Sequence, residues 1–103
     1  MHSNFYHMRF IAHRASFAQD MSDDERVLMR AHVAYWSAKI AERTALCFGP
    51  VLDPHASWGF AILRVDSDEE AGALIAGDPA RALGRHEVFP IAQLIGMTQT
   101  PIR

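Results

Sequence analysis

The chain has 103 residues, half of them hydrophobic and 21% charged, with a formal net charge of −2. That is the composition of a single globular domain over residues 1–103, and it excludes a disordered chain. No basic run or zinc-finger spacing points to nucleic acid, no apolar segment approaches a membrane span, and one cysteine, Cys47, cannot form an internal disulfide.

Phe5 to Arg14 reads as a strand, with Tyr6, Met8, Phe10 and Ala12 alternating with Phe5, His7, Arg9, Ile11 and His13. One face is apolar and suits packing under helices; the other is mixed and suits solvent, a pocket or a subunit interface. The same N-terminal stretch scatters histidines and arginines, so it lacks the apolar block of a signal peptide, and a cytoplasmic location is expected.

Ala15 to Met21 connects to the longest helical pattern, Ser22 to Glu42. Ser22 and Glu25 have the spacing of a capping box. Asp23, Asp24 and Glu25 suit the positive end of the helix dipole, and Lys39 and Arg43 the negative end. With Met29 set at zero, Ile40 and Trp36 lie within about 20° and Val33 about 40° away, a core-facing stripe. His32 falls about 60° from its centre, at the margin, where it would look into a cleft between helix and sheet. Two readings suit such a histidine: a half-buried side chain bonded to a backbone carbonyl, or an acid/base group.

Ala45 to Phe48 is a short apolar strand, stopped or bent by Gly49-Pro50. Asp53 to Ser57 forms a turn. Trp58 to Val65 is a near-continuous apolar strand that suggests burial on both faces, with Gly59 marking a bulge or a close backbone approach. Ser67 and Glu70 give a second capping box, Ala71, Leu74 and Ile75 an apolar helix face, and Gly77 its terminator. Asp78-Pro79 opens a helical turn to Leu83, ended by Gly84. His86 to Ile95 is the fourth strand, with Pro90 arguing for an edge or a bulge. The tail MTQTPIR reads as a short extension that could reach a neighbouring subunit.

The order strand, helix, strand, strand, helix, strand predicts an α+β fold, the ferredoxin-like split βαβ arrangement with a four-stranded antiparallel sheet. Two helices cover only one face of such a sheet. A second copy would cover the other, so a homodimer through the open sheet face is expected. The six histidines do not have metal-ligand spacing. His7 and His13 lie about 20 Å apart on an extended strand, His32 has no histidine one helical turn away, and His86 and Glu87 point to opposite faces. No metal and no cofactor are expected. Cys47 and Trp36 read as core, and Trp58 as core, pocket wall or dimer contact.

The series FAQDMSDDERVLMRAHVAYW, CFGPVLDP, WGFAILRV and AGDPARALGRHEVFP, in that order and spacing, resembles the YCII-related proteins, small bacterial domains of the dimeric α+β barrel superfamily. The resemblance covers Phe5 to Pro90. It implies that His32 and Asp78 stand at the positions of the family's proposed active-site pair, a helix histidine and the aspartate of an Asp-Pro motif. Gly49-Pro50 matches the Gly-Pro after the second strand. Ala80 departs from the aromatic that follows Asp-Pro in better-known members, which implies a larger pocket or another substrate. A few relatives take part in breakdown of chlorinated aromatic compounds.

On this reading His32 is a general base or acid, and Asp78 accepts a hydrogen bond from one ring nitrogen, fixing the tautomer. No serine or cysteine nucleophile motif is present, which favours isomerisation, elimination or dehydrochlorination on a small aromatic or lactone-type molecule over acyl transfer. Gly49, Pro50 and Trp58 are candidate ligand-binding residues. Arg9 or His7 would bind an anionic group if their strand face lines the same cleft. The alternative is a non-catalytic dimer that binds a small ligand or serves as an accessory domain, with Asp78 simply capping the turn before Pro79.

Overall fold

A computed structural model describes residues 4–96; the expected tail extension from Met97 lies outside them. In chain order the elements are β1 (Asn4–Ala12), α1 (Phe17–Asp20), α2 (Asp23–Ala41), β2 (Ala45–Val51), β3 (Trp58–Val65), α3 (Asp68–Ala76), a 3-10 turn (Pro79–Leu83) and β4 (Gly84–Ile91). The strands form one sheet in the order β2-β3-β1-β4, every neighbouring pair antiparallel. β1 and β2 therefore run parallel with β3 between them, and β3 and β4 run parallel with β1 between them. This is the ferredoxin-like split βαβ arrangement.

Local chemistry sets where α2 begins. The Ser22 hydroxyl accepts from the Glu25 N–H at 3.1 Å, and the Glu25 carboxylate accepts from the Ser22 N–H at 2.9 Å. The Arg14 guanidinium, just past β1, donates to both Glu25 oxygens at 2.8 and 2.9 Å and to Asp20 at 2.8 Å. These hydrogen bonds, Arg14 first and the Ser22 N–H next, bring the Glu25 carboxyl down to about 2. The end of β1 is thereby tied to the start of the long helix.

The core lies between α2, α3 and the sheet face made by Tyr6, Met8 and Phe10 of β1 and Ala61, Leu63 and Val65 of β3, with Trp36 fully buried at its centre. The rotation of α2 differs from the one its apolar stripe predicts. Its buried residues are His32 and Trp36, whereas Val33 is 49% and Ile40 38% exposed. His32 thus sits in the middle of the buried face. A polar force favours this rotation: both His32 and Trp36 donate to the same buried carboxylate.

Several boundaries also shift. β2 runs through Gly49-Pro50 to Val51, because it is an edge strand on which a missing N–H leaves no partner unpaired. The irregularity in the sheet falls between Ala45 and Cys47, not at Gly59. It sets Cys47 opposite Ile62 on the outer face, so the cysteine is exposed and not core. β4 starts at Gly84 and stops at Ile91, short of Ile95. Gly84 does more than end a turn: a Cβ there would overlap the Ile11 carbonyl, so the close pairing of β4 with β1 requires glycine. At α3 the Ser67 hydroxyl caps Glu70, but the Glu70 carboxylate takes the Asp66 N–H at 2.7 Å, leaving half a capping box. Gly77 ends α3 in a right-handed conformation; its lack of a side chain admits the Tyr35 hydroxyl, which would lie 2.5 Å from a Cβ.

No helix among the described residues covers the outer sheet face. Phe5, His7, Arg9 and Ile11 of β1 register there with Arg64, Ile62 and Phe60 of β3 and with Ile91, Phe89, Glu87 and Arg85 of β4. Phe60 and Ile62 are only half-buried, so the second face of β3 is not buried within one chain. No helix among the described residues is long and apolar enough to cross a membrane.

Candidate active site

Asp78 caps the Pro79 turn, its Oδ1 accepting the Ala80 N–H at 2.9 Å, with Pro79 in the first turn position where no N–H is needed. The same carboxylate accepts three side chains. The His32 Nδ1–H lies 2.8 Å from Oδ1 and 3.0 Å from Oδ2, the Trp36 Nε1–H 2.9 Å from Oδ2, and the His86 Nε2–H 3.0 Å from Oδ2. His32 and Trp36 are four residues apart on α2 and so share a face. His86 comes from β4 and enters from the other side. The cap reading and the histidine-partner reading of Asp78 therefore both hold.

Asp78 is 2% exposed. Burial alone strongly opposes its ionisation, but the bonds from His32, His86, the Ala80 N–H and Trp36 together outweigh that cost and hold the carboxyl well below the usual carboxylate range. An ionised carboxylate only accepts. The nitrogens facing it, Nδ1 of His32 and Nε2 of His86, therefore carry protons. Among the described residues, His32 Nε2 has no hydrogen-bond partner.

His32 lines a cavity of about 240 Å³ between α2 and one end of the sheet. Its walls are Phe10, Phe17, Met29 and Val33, then Phe48 and Gly49-Pro50 of β2, and Ser57, Trp58 and Gly59 at the start of β3. No other side chain in that wall is an acid or base. Asp78 stands behind His32 and does not itself line the cavity. The Phe10 ring packs 6.0 Å from the His32 ring and 5.2 Å from that of His86.

Of the residues anticipated from sequence, His32 and Asp78 meet, and Gly49, Pro50 and Trp58 lie on the same cavity as His32. Arg9 and His7 do not. Strand alternation points Phe10 to the cavity side and Arg9 and His7 to the outer face. There the Arg9 guanidinium stacks 4.2 Å from the Trp58 ring and pairs with Glu87 at 3.5 Å. His7 packs 6.3 Å from Phe60 and 6.5 Å from Trp58. A second cleft of about 230 Å³, lined by Arg9, Arg14, Arg85 and Glu87, shares Trp58 with the first. Sequence reasoning missed Trp36 and His86 as partners of Asp78. The available signal was alternation along β4: His86 shares the inner face with Val88, opposite Glu87. Among the described residues, no group of three or more His, Cys, Asp or Glu side chains is arranged to hold a metal ion.

The sequence signature of the YCII-related domain matches residues 6–95. The chain belongs to the YCII-related family. No curated protein sequence matches it. Solved structures that share its fold include the following two. One is a 5-chloro-2-hydroxyhydroquinone dehydrochlorinase from Burkholderia phenoliruptrix AC1100, in complex with 2,5-dihydroxybenzoquinone. It has a TM-score of 0.63 and 18% identity, over 82% of this chain and 90% of that one. The other is SnoaB, a cofactor-independent oxygenase from Streptomyces nogalater, with a TM-score of 0.50 and 11% identity over 96% of this chain and 100% of that one. At such identities the likeness is one of fold.

Proposed function

We propose that this YCII-related protein is an acid/base catalyst for elimination or isomerisation of a small, single-ring molecule, with His32 as the base and Asp78 as its orienting carboxylate. The observation that carries the reading is an imidazole at the wall of an otherwise apolar cavity, backed by a buried carboxylate. A dry cavity of about 150 Å³ holds benzene, so about 240 Å³ suits one substituted ring. His32 Nε2 would take a proton from a ring hydroxyl. The electron pair left behind moves into the ring, and in a dehydrochlorination the imidazolium returns the proton to the chlorine-bearing carbon, giving the keto tautomer. Loss of a second hydroxyl proton to His32 then forms the quinone as chloride departs with its bonding pair, so HCl is lost without an oxidant. Asp78 balances the imidazolium that forms. The dehydrochlorinase among the structural neighbours supports this reaction class by analogy of fold alone. Gly49, Pro50 and Trp58 would shape the ring's slot. The uncovered Phe60, Ile62 and Phe89 on the otherwise mixed outer sheet face support a homodimer in which a second copy covers them.

The test is a panel of chlorinated and unchlorinated hydroxyquinols, with chloride release and ring absorbance as readouts. General acid–base catalysis contributes about 10²- to 10⁴-fold, so His32→Ala should lose that much of any turnover the wild type shows. Undiminished turnover by a folded His32→Ala protein would remove His32 from the chemistry. Ligand binding without turnover in the wild type would favour the non-catalytic alternative.

A further inference from the structure

A histidine–aspartate pair needs neither a second histidine nor an indole, yet Asp78 is bonded by both. A carboxylate offers about four lone-pair sites, and here His32, Trp36, His86 and the Ala80 N–H fill them. The surplus donors have a consequence for His32. A buried carboxylate with one histidine as sole partner draws a proton onto that histidine and holds it there as an ion pair. Such an imidazolium has no lone pair left to act as a base. Each added donor takes up part of the carboxylate's charge and weakens that pull.

We propose that His86 is a positioning residue for the site: its Nε2–H shares Asp78 with His32, weakens the carboxylate's pull on a second His32 proton and so favours a free His32 Nε2. This rests on the reading of His32 as a base. His86 does not line the His32 cavity, and its side chain is 6% exposed, so it acts through Asp78 and not on a ligand. Other titratable groups nearby are occupied elsewhere. The Tyr35 hydroxyl of α2 donates to the Leu74 carbonyl at 2.6 Å, and Arg81 of the Pro79 turn donates to the Ala76 carbonyl at 2.9 Å. Arg85 and Glu87, on either side of His86, pair with each other at 3.2 Å on the outer face. Of the side chains on Asp78, only His86 adds a donor from the sheet.

The experiment is nitrogen-15 NMR of the imidazole rings in the full chain, as a function of pH, in the wild type, His86→Phe and His86→Gln. Neutral His86 in the wild type should carry its proton on Nε2, the nitrogen that faces Asp78. His86→Phe should move the His32 titration midpoint upward. His86→Gln, which retains an N–H donor, should return most of that shift. A wild-type His86 protonated on Nδ1 would overturn the proposal, and that result does not depend on any variant folding. So would an unmoved midpoint in a folded His86→Phe protein, or equal shifts in the Phe and Gln variants, which would mark a packing effect. None of these readouts requires turnover. Failure to find a substrate would count against the proposed function and leave the role of His86 at Asp78 to be decided by the spectra.

Discussion

Asp78→Asn sets two obligate donors against a side chain with one oxygen. The Trp36 Nε1–H points at Oδ2 and the Ala80 N–H at Oδ1. Neither can become an acceptor. An asparagine that turns its oxygen to Trp36 meets the Ala80 N–H with its own NH₂, and the reverse rotamer abandons Trp36. One buried N–H is orphaned in either case, at a cost of about 1–3 kcal/mol. The bonds that survive lose their charge assistance, about 1 kcal/mol each. The total, about 3–5 kcal/mol, matches the usual cost of removing one partner of a buried charged pair. Urea unfolding at fixed protein concentration should therefore show a midpoint drop with unchanged slope. A loss below about 0.5 kcal/mol would be ordinary for a surface substitution and would refute the assignment of four converging bonds. The variant also separates stability from chemistry. With the amide oxygen toward Trp36, the NH₂ faces His32 Nδ1 and drives the ring proton to Nε2. A donor then replaces the acceptor in the cavity, so turnover should fall by more than the loss of folded protein explains.

Two further outcomes follow from the geometry. Glu25, held down to about 2 chiefly by Arg14, and Asp78, held below the usual range by four donors against burial, both have folded-state values lower than the unfolded ones. Their contribution to stability is full above the ordinary carboxylate range of about 4 and fades as pH falls through it. Arg14→Ala should flatten the Glu25 part of that acid slope, measured by thermal melts from neutral pH down to acid, while an identical slope would show that the pair contributes nothing. On the outer face Phe89 is 53% exposed and registers with His7 of β1. Phe89→Glu should place charge in a dimer contact and yield monomer by sedimentation velocity, whereas a wild type that is already monomeric at micromolar concentration would remove the dimer proposal.

Elements with local causes were legible in the sequence. The capping box at Ser22 and Glu25 marks the start of α2, and the apolar run Trp58–Val65 is β3 from end to end. The strand order follows from the element order through packing rules. The shifted features have non-local causes. Gly49-Pro50 continues β2 only because that strand lies at the sheet edge, and Gly84 is demanded by the Ile11 carbonyl, a neighbour far away in sequence. His86 approaches Asp78 only after β4 has docked on β1.

The rotation of α2 carries the most for function. An apolar stripe is assigned to the core on the premise that hydrophobic burial alone sets how a helix turns. Here two hydrogen bonds to a buried carboxylate compete with that premise. A lost charged bond costs about 1.5–3 kcal/mol, comparable to burying one Val or Ile side chain. The helix therefore presents His32 and Trp36 inward, keeps Met29 at the edge of the core and leaves Val33 half exposed. Those two side chains do not go simply to solvent: both line the cavity beside His32. Half of the stripe that looks like core in the sequence, Met29 and Val33, is wall of the candidate ligand site, while Trp36 of the same stripe stays in the core and bonds the carboxylate that orients His32.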